Sequence, residues 1–347
     1  MTENIFHSGS QNPIQAKTEE VAGSPGKGCD ISFIIVSWNA TEYLSRCLAS
    51  LRNGVADLRS EVIVVDNGST DGSWQMARSH YPEVRLLRNA HNAGFAGANN
   101  QGIDVSNGRY VCLINSDVEV FPDTARVLLE YMDAHPDVGI LGPKVLNSDL
   151  SLQHSCRTLP TLRDSFFRAL KLDTTFPNSG VFGRHQMMNW DYSDTREVGS
   201  LSGCFWVIRR KALEDVGQLD TRFFIYGEDM DFCRRLHEVG WKVIFYPEAL
   251  IVHHGGASSG SDPARFWIEM QRANLQYWSK YNGRASTFAY YSCLLLHNLV
   301  RVIAFGGKNL VGRHGHDGPQ QKLVSSRRGL LWLLSPETVL WLTGGRC

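Results

Sequence analysis

Apolar positions in the first third of this chain fall alternately into short continuous runs and helically spaced series. Ile31-Ser32-Phe33-Ile34-Ile35-Val36-Ser37 is a β-branched run that stops at Trp38-Asn39. A run without polar alternation predicts a strand buried on both faces, as in a parallel sheet. From Thr41 to Asn53, residues Tyr43, Leu44, Cys47, Leu48 and Leu51 recur at helical spacing. Glu61-Val62-Ile63-Val64-Val65-Asp66 predicts a second buried strand, closed by the turn Asn67-Gly68-Ser69-Thr70-Asp71-Gly72. Another helix-strand step spans Trp74 to Leu87, and Tyr110 to Asn115 is a further strand ending at Ser116-Asp117. Such alternation predicts right-handed βαβ units: an α/β, Rossmann-like class with a mostly parallel sheet flanked by helices. Ligands of these sheets bind beyond the carboxyl ends of the strands, where this chain has Trp38-Asn39, Asp66 and Asp117.

The periodicity loosens after Asp149, and Thr158 to Asn189 reads as loops and short helices forming a second wall. A strand Cys204–Ile208 follows Gly199-Ser200-Leu201-Ser202-Gly203. Then come an acidic helix to Val239, a strand from Trp241 to Tyr246, and Val252-His253-His254-Gly255-Gly256. From Ser286 to Phe305, Phe288, Tyr291, Leu295, Leu299 and Val302 form one stripe, opposite Ser286, Thr287, His297, Asn298 and Arg301. This predicts an amphipathic helix rather than a span, because those polar groups are costly in lipid. It can pack on the preceding domain or lie on a membrane surface. From Arg301 onward seven Lys/Arg face two Asp/Glu, interleaved with Leu330-Leu331-Trp332-Leu333-Leu334 and Val339-Leu340-Trp341-Leu342. That mixture suits an anionic membrane surface.

Composition narrows the class. Lys+Arg and Asp+Glu both number 35, so no global field argues for nucleic acid. The 347 residues, 43% of them hydrophobic, suffice for a sizeable core. Eight scattered cysteines without CxxC spacing read as reduced thiols of a cytoplasmic protein. Residues 1–29 are polar and lack the apolar core of a signal peptide, which predicts a disordered lead-in and a catalytic part kept in the cytoplasm.

Four places carry candidate chemistry. Glu228, Asp229 and Asp231 sit within four positions, behind Phe224-Ile225-Tyr226-Gly227 and ahead of Arg234-Arg235. Crowded carboxylates beside aromatic walls hold protons more tightly, which suits a general base. The same acids equally fit the first turn of a helix, with Arg235 one turn on. Asp66 can cap its turn or accept hydrogen bonds from a nucleotide base or ribose. Asn89 to Gly102 combines small residues with four asparagines, but no GxGxxG follows the first strand and no Gly-Lys-Ser/Thr is present. Close approach to a ligand or a structural loop both account for it. Asp117 and Glu119, at i and i+2, can both reach a hard divalent cation. His253 or His254 can complete a mixed carboxylate and imidazole site.

Six segments, in order, resemble the inverting GT-A glycosyltransferases of family 2, especially the rhamnosyltransferase-like branch. They are Ile34-Ile35-Val36-Ser37-Trp38-Asn39, Val64 to Ser73, Asn92 to Gly102, Leu113-Ile114-Asn115-Ser116-Asp117, Phe223 to Asp231, and His253-His254-Gly255-Gly256. They span roughly residues 30–280. The resemblance implies a GT-A fold over 30–283, with 30–149 the nucleotide-sugar half and 150–283 the acceptor and catalytic half, and C-terminal amphipathic helices in 284–347. It implies that Asp66 holds the base or ribose, with Ser37, Trp38, Asn39, Asn92, Asn99 and Asn115 on the donor side. Asp117 is the implied metal ligand. The family's common Asn-Pro-Asp reads Asn115-Ser116-Asp117 here, which leaves Glu119 as a second acid in an altered motif. His253 is implied as a further metal or diphosphate contact, with His254 its alternative, and Asp229 as the catalytic base. Gly203, Trp206 and Glu228 are implied on the acceptor side.

The activity so implied uses Mg²⁺ or Mn²⁺ and moves a sugar, rhamnose being the first candidate, from a nucleoside diphosphate to a glycan or lipid-linked saccharide in cell-surface polysaccharide synthesis. It places the protein in the cytoplasm, peripherally on the inner face of the membrane. Two other readings stay open. A nucleotidyltransferase wants a basic, Gly-rich loop near the first strand, which Trp38–Arg46 does not offer. A non-catalytic sugar-nucleotide-binding module keeps the fold without the chemistry.

Overall fold

The computed structural model describes residues 28–55, 58–256, 262–310 and 318–343. All but the last two residues of the expected N-terminal tail lie outside them. The first half alternates as its pattern predicts: β1 (Ile31–Ser37), α1 (Thr41–Gly54), β2 (Ser60–Asp66), α2 (Ser73–His80), β3 (Arg85–Arg88), α3 (Gly94–Asp104) and β4 (Tyr110–Asn115). There follow β5 (Val118–Val120), α4 (Thr124–Ala134), β6 (Val138–Leu146), β7 (Cys156–Arg157), α5 (Leu162–Ala169), α6 (Leu172–Thr175), β8 (Arg196–Glu197), β9 (Ser200–Leu201), β10 (Phe205–Arg209), α7 (Arg210–Val216) and α8 (Glu228–Glu238). The chain continues with β11 (Lys242–His253), α9 (Pro263–Tyr281), α10 (Arg284–Leu310), α11 (Pro319–Leu333) and α12 (Pro336–Thr343).

Nine strands form one sheet in the order β3-β2-β1-β4-β10-β6-β11-β5, with β8 on β11, while β7 and β9 make a separate ribbon. Strands β5, β8 and β10 run antiparallel to their neighbours, so the sheet is mixed. The run Cys204–Ile208 thus becomes an antiparallel insertion between β4 and β6. Strand β11 is longer than Trp241–Tyr246 because it resumes its pairing with β6 after an irregularity at Tyr246/Leu250, which carries His253 into the sheet.

Helices cover both faces, which explains the uninterrupted apolar runs. Phe33, Ile35 and Val64 pack with α1, α2 and α4 on one side. Ile34, Ile63 and Val65 pack with α3, α7 and α8 on the other. On that second face Gly102 sits so close to the sheet that a Cβ would lie 2.4 Å from Ile34 Cγ2. The Gly/Asn-rich stretch is therefore mostly helix, and its small residues let α3 approach the strands.

The C-terminal helices pack on α9 through Leu275, Trp278, Tyr290, Tyr291, Leu294 and Leu333. Helix α10 follows its stripe only in part: Tyr291 is buried and Leu295 packs beside it, but polar groups also turn inward. Its polar Thr287 and Asn298 are buried, Asn298 completely, while Phe288, Leu299 and Ile303 are 63%, 47% and 67% exposed. A buried network holds this face: Asn298 Nδ2 donates to Gln271 Oε1 at 2.6 Å, and Trp267 Nε1 donates to Asn298 Oδ1 at 3.0 Å. By length and composition Arg284–Asn309 also meets the requirement for crossing a membrane.

Candidate active site

Parallel pairing brings the ends of β1, β2 and β3 into line, with Ser37 opposite Asp66 and Asp66 opposite Arg88. Ser37 Oγ and both Asp66 carboxylate oxygens are buried without a hydrogen bond among the described residues. Arg88 Nε is 3.8 Å from Asp66 Oδ2. Burial pushes the Asp66 carboxyl above its ordinary value, and the nearby Ser69 hydroxyl and amide, then the Arg88 charge, offset part of that rise. Unmatched buried polar groups are uncommon at a strand end unless a ligand meets them. Asn39 serves the scaffold: at φ +50° its Oδ1 accepts the Thr70 N–H at 2.8 Å, tying the loops after β1 and β2 together. Trp38 is half-buried beside it.

The next loop is held by amides. Asn67 Oδ1 accepts the Ala93 N–H at 2.8 Å and Asn89 Nδ2 at 3.0 Å, while Asn67 Nδ2 donates to Asn92 Oδ1 at 2.9 Å. Asn92 Oδ1 also accepts the Gly94 N–H at 2.9 Å. Asn99 is buried in α3, its Nδ2 donating to the Phe95 carbonyl at 2.9 Å while its Oδ1 is unmatched. Asn92 and Asn99 therefore shape the loop and helix before any ligand arrives. Gly94 needs its φ of +78°, and a Cβ there would lie 2.5 Å from the Phe224 carbonyl. The Phe95 N–H donates to that carbonyl at 2.7 Å, which clamps α3 to the segment leading into α8.

At the other end of the cleft, antiparallel pairing sets β11 beside β5 with His253 opposite Val118. His253 Nε2 is 3.3 Å from Asp117 Oδ1 and 3.4 Å from Asn115 Nδ2. Its Nδ1 is 2.7 Å from Gln153 Oε1, an acceptor-only atom, so the proton belongs on Nδ1 and the Nε2 lone pair faces Asp117. Gln153 is fixed in that orientation because its Nε2 donates to Asn147 Oδ1 at 2.8 Å and to the His253 carbonyl at 3.1 Å. His254 points elsewhere, with Nε2 2.7 Å from Glu119 Oε1 and Nδ1 2.8 Å from Ser148 Oγ. Among the described residues no three His, Cys, Asp or Glu side chains cluster as a metal cage. The donor set available to a divalent cation is a carboxylate and an oriented imidazole, leaving positions for ligand oxygens.

The three acids of α8 have separate roles. Asp231 is fully buried and bonds to Lys280, to Tyr281 Oη at 2.7 Å and to Arg235 Nε at 2.9 Å. That network joins α8 to α9. Glu228 is buried with Oε2 unmatched, and burial, reinforced by the neighbouring Asp229 charge, pushes its carboxyl well up. Burial also raises the Asp229 carboxyl, which is held down in part by the Met230 N–H at 2.8 Å and by the Arg157 charge. A Cβ placed on Gly203 would lie 3.8 Å from Asp229 Cβ and 3.7 Å from Trp206 Cζ2. Trp206 is fully buried with Nε1 unmatched. One residue past Gly203, the Cys204 carbonyl accepts the Asn115 N–H at 2.9 Å. Asp229 and the Asp117–His253 pair thus flank the start of β10, on the same edge as Asp66.

Gln153, Arg157 and Lys280 are missing from the sequence reading. Gln153 lies 100 positions from His253 and Lys280 lies 49 from Asp231, with no local pattern to link them.

The matching family model is Glycosyl transferase family 2, over residues 32–217. The N-acetylglucosaminyl-diphospho-decaprenol L-rhamnosyltransferase of Mycobacterium tuberculosis is 34% identical over 242 residues, covering 67% of this chain and 78% of that protein. The low-salt glycan biosynthesis hexosyltransferase Agl10 of Haloferax volcanii is 28% identical over 211 residues, 59% of this chain and 61% of its own. Among solved structures, the mannosyltransferase PcManGT from Pyrobaculum calidifontis, in complex with GDP-Man and Mn²⁺, superposes with a TM-score of 0.51 at 17% identity, over 93% of this chain and 92% of its own. The chain belongs to glycosyl transferase family 2, in its rhamnosyltransferase-like branch, and has the GT-A fold. It is a glycosyltransferase.

Proposed function

We propose that this enzyme transfers a sugar, rhamnose first among the candidates, from a nucleoside diphosphate to a lipid-linked saccharide, with inversion and with Mg²⁺ or Mn²⁺. The observation that carries this reading is the convergence of Asp66, the Asp117–His253 pair and Asp229 on one edge of the sheet. Ser37 and Asp66 bind the nucleoside, where a ligand hydroxyl or N–H relieves their unmatched oxygens. Asp117 and His253 hold the cation, with Glu119 next to them but engaged by His254. A divalent cation held by them would supply neutralisation of the charge on the departing diphosphate. Asp229 accepts the proton of the attacking acceptor hydroxyl, and its raised proton affinity suits that task. Attack opposite the departing diphosphate inverts the anomeric centre in one displacement. Proton transfer contributes about 10²–10⁴ in rate, and fixed positioning of the reactants contributes the remainder. Glu228, Gly203 and Trp206 shape the acceptor side.

Residues 284–347 carry the enzyme on the inner leaflet of the cell membrane. Supporting this are the exposed Phe288, Leu299 and Ile303 of α10 and the exposed Leu331 and Leu334 near the end of α11, beside basic residues. Ile303→Asp with Leu331→Asp should abolish co-sedimentation with anionic vesicles and leave the unfolding midpoint in place; unchanged sedimentation refutes the membrane role. For the activity, purified protein is incubated with nucleotide sugars, Mn²⁺ and a short-chain prenyl diphospho-saccharide, and released nucleoside diphosphate is measured. Turnover of one donor that requires metal and falls at least 100-fold in Asp229→Asn is expected. Turnover that survives Asp229→Asn or chelation overturns the mechanism.

A further inference from the structure

Outside the strand-end site, a narrow, partly open cleft of about 70 Å³ lies between α5, α9 and α10. Its lining includes Met230, Tyr277, His185, Arg168 and His297. Trp267, Trp278 and Tyr290 also line it.

Cations from four places in the chain gather at its outer end. Lys171 Nζ is 4.5 Å and Lys308 Nζ 5.8 Å from the Phe305 ring centre. The Arg301 guanidinium is 5.1 Å from the same ring and 4.2 Å from that of Trp267. Arg168 and Lys322 add their fields. Arg168, Lys171 and Arg301 have no carboxylate ion pair among the described residues, and Asp173 is the weakest of the charges acting on Lys171. Burial, then Arg301, Lys308 and Lys322, lower the Lys171 pKa, the sign of mutual repulsion. Like charges held this close by the fold are relieved by an anion of high charge density, and a guanidinium fork suits phosphate oxygens.

We infer that Arg168, Lys171 and Arg301 form the subsite for the diphosphate of the acceptor. This rests on the reading that the acceptor is a lipid-linked diphospho-saccharide.

Transfer is measured with a short-chain prenyl diphospho-saccharide and with an alkyl glycoside of the same saccharide that lacks the diphosphate. Arg168→Gln and Lys171→Gln should raise KM for the first at least tenfold, the scale of one charge-assisted hydrogen bond. The KM for the second and kcat should not move. Arg301→Lys, which keeps a cation over Trp267, tests the fork without removing the packing. Equal effects on both acceptors, or none on either, overturn the subsite. If variants lose binding to anionic phospholipid vesicles while KM is unchanged, the cluster reads the leaflet and the subsite is overturned.

A second measurement does not depend on turnover. Binding of inorganic pyrophosphate is followed calorimetrically in chelator, in an Asp117→Asn background that silences the donor site. Binding that weakens at least tenfold in Arg168→Gln supports the subsite even if no donor is turned over. No binding, or equal binding in both proteins, overturns it. Arg168 is exposed, so an unchanged unfolding midpoint is expected and verifies the fold.

Discussion

The acids of α8 allow a decisive contrast between Asp231→Asn and Asp229→Asn. Asp231 is fully buried and offsets two cations, Lys280 and Arg235, besides accepting from Tyr281. Breaking a buried ion pair costs roughly 3–5 kcal/mol, because the partner charge is stranded. Two features place this site at the lower end. Lys280 keeps Asp220 at 2.8 Å, and Arg235 keeps the carbonyls of Val216 and Gln218 at 2.6 and 2.8 Å. About 3 kcal/mol remains, which at roughly 2 °C per kcal/mol for a chain of this size lowers the midpoint by about 6 °C. Asp229 accepts the adjacent Met230 amide and has no cation bonded to it among the described residues, and burial disfavours its charge. Asparagine there removes an unfavourable ionisation, so stability should hold or rise slightly while turnover falls at least 100-fold. Thermal unfolding followed by fluorescence, together with nucleoside diphosphate release, reads both effects. A wild-type midpoint for Asp231→Asn, or an Asp229→Asn variant that is unstable yet active, would refute the division of roles.

Gln153→Leu should weaken Mn²⁺ binding about 10–100-fold by freeing the His253 tautomer, as loss of an outer-shell partner does; electron paramagnetic resonance titration measures it, and unchanged affinity argues against His253 as ligand. Gly329→Ala sets about 1 kcal/mol of helix propensity against overpacking of about 1–3 kcal/mol. A Cβ at Gly329 would lie 2.6 Å from Gln271 Nε2 and 2.8 Å from Asn298 Oδ1, so we expect net destabilisation and faster proteolysis of the C-terminal helices. Asp66→Asn should stabilise the protein increasingly with pH. Burial raises the folded-state pKa, so the folded form holds its proton longer. Native stability therefore falls as pH rises from the unfolded value of about 3.9 through the raised one, and the variant escapes that fall. Unfolding free energies at pH 4 and pH 8 test the sign, and a variant gain that is larger at pH 4 refutes it.

Much of this protein is determined locally. Continuous apolar runs at 31–37, 61–66 and 110–115 require cover on both faces, and the helices between them provide it, so the α/β class follows from the sequence. The same runs end in Ser37, Asp66 and Asn115, which puts polar chemistry at one edge of any parallel sheet. Other features depend on contacts between distant parts of the chain. Periodicity gives α10 a polar and an apolar side, but Gln271 and Trp267 of α9 decide that Asn298 turns inward. Composition gives α8 three similar acids, and Lys280 and Tyr281 single out Asp231 for the scaffold. Adjacent histidines are indistinguishable in sequence, yet β5 and Gln153 turn His253 toward Asp117 and leave His254 with Glu119. Hydropathy is a property of neighbouring residues, whereas the partner of a buried charge or imidazole is chosen by strand order and helix packing, 49 positions away for Lys280 and 100 for Gln153.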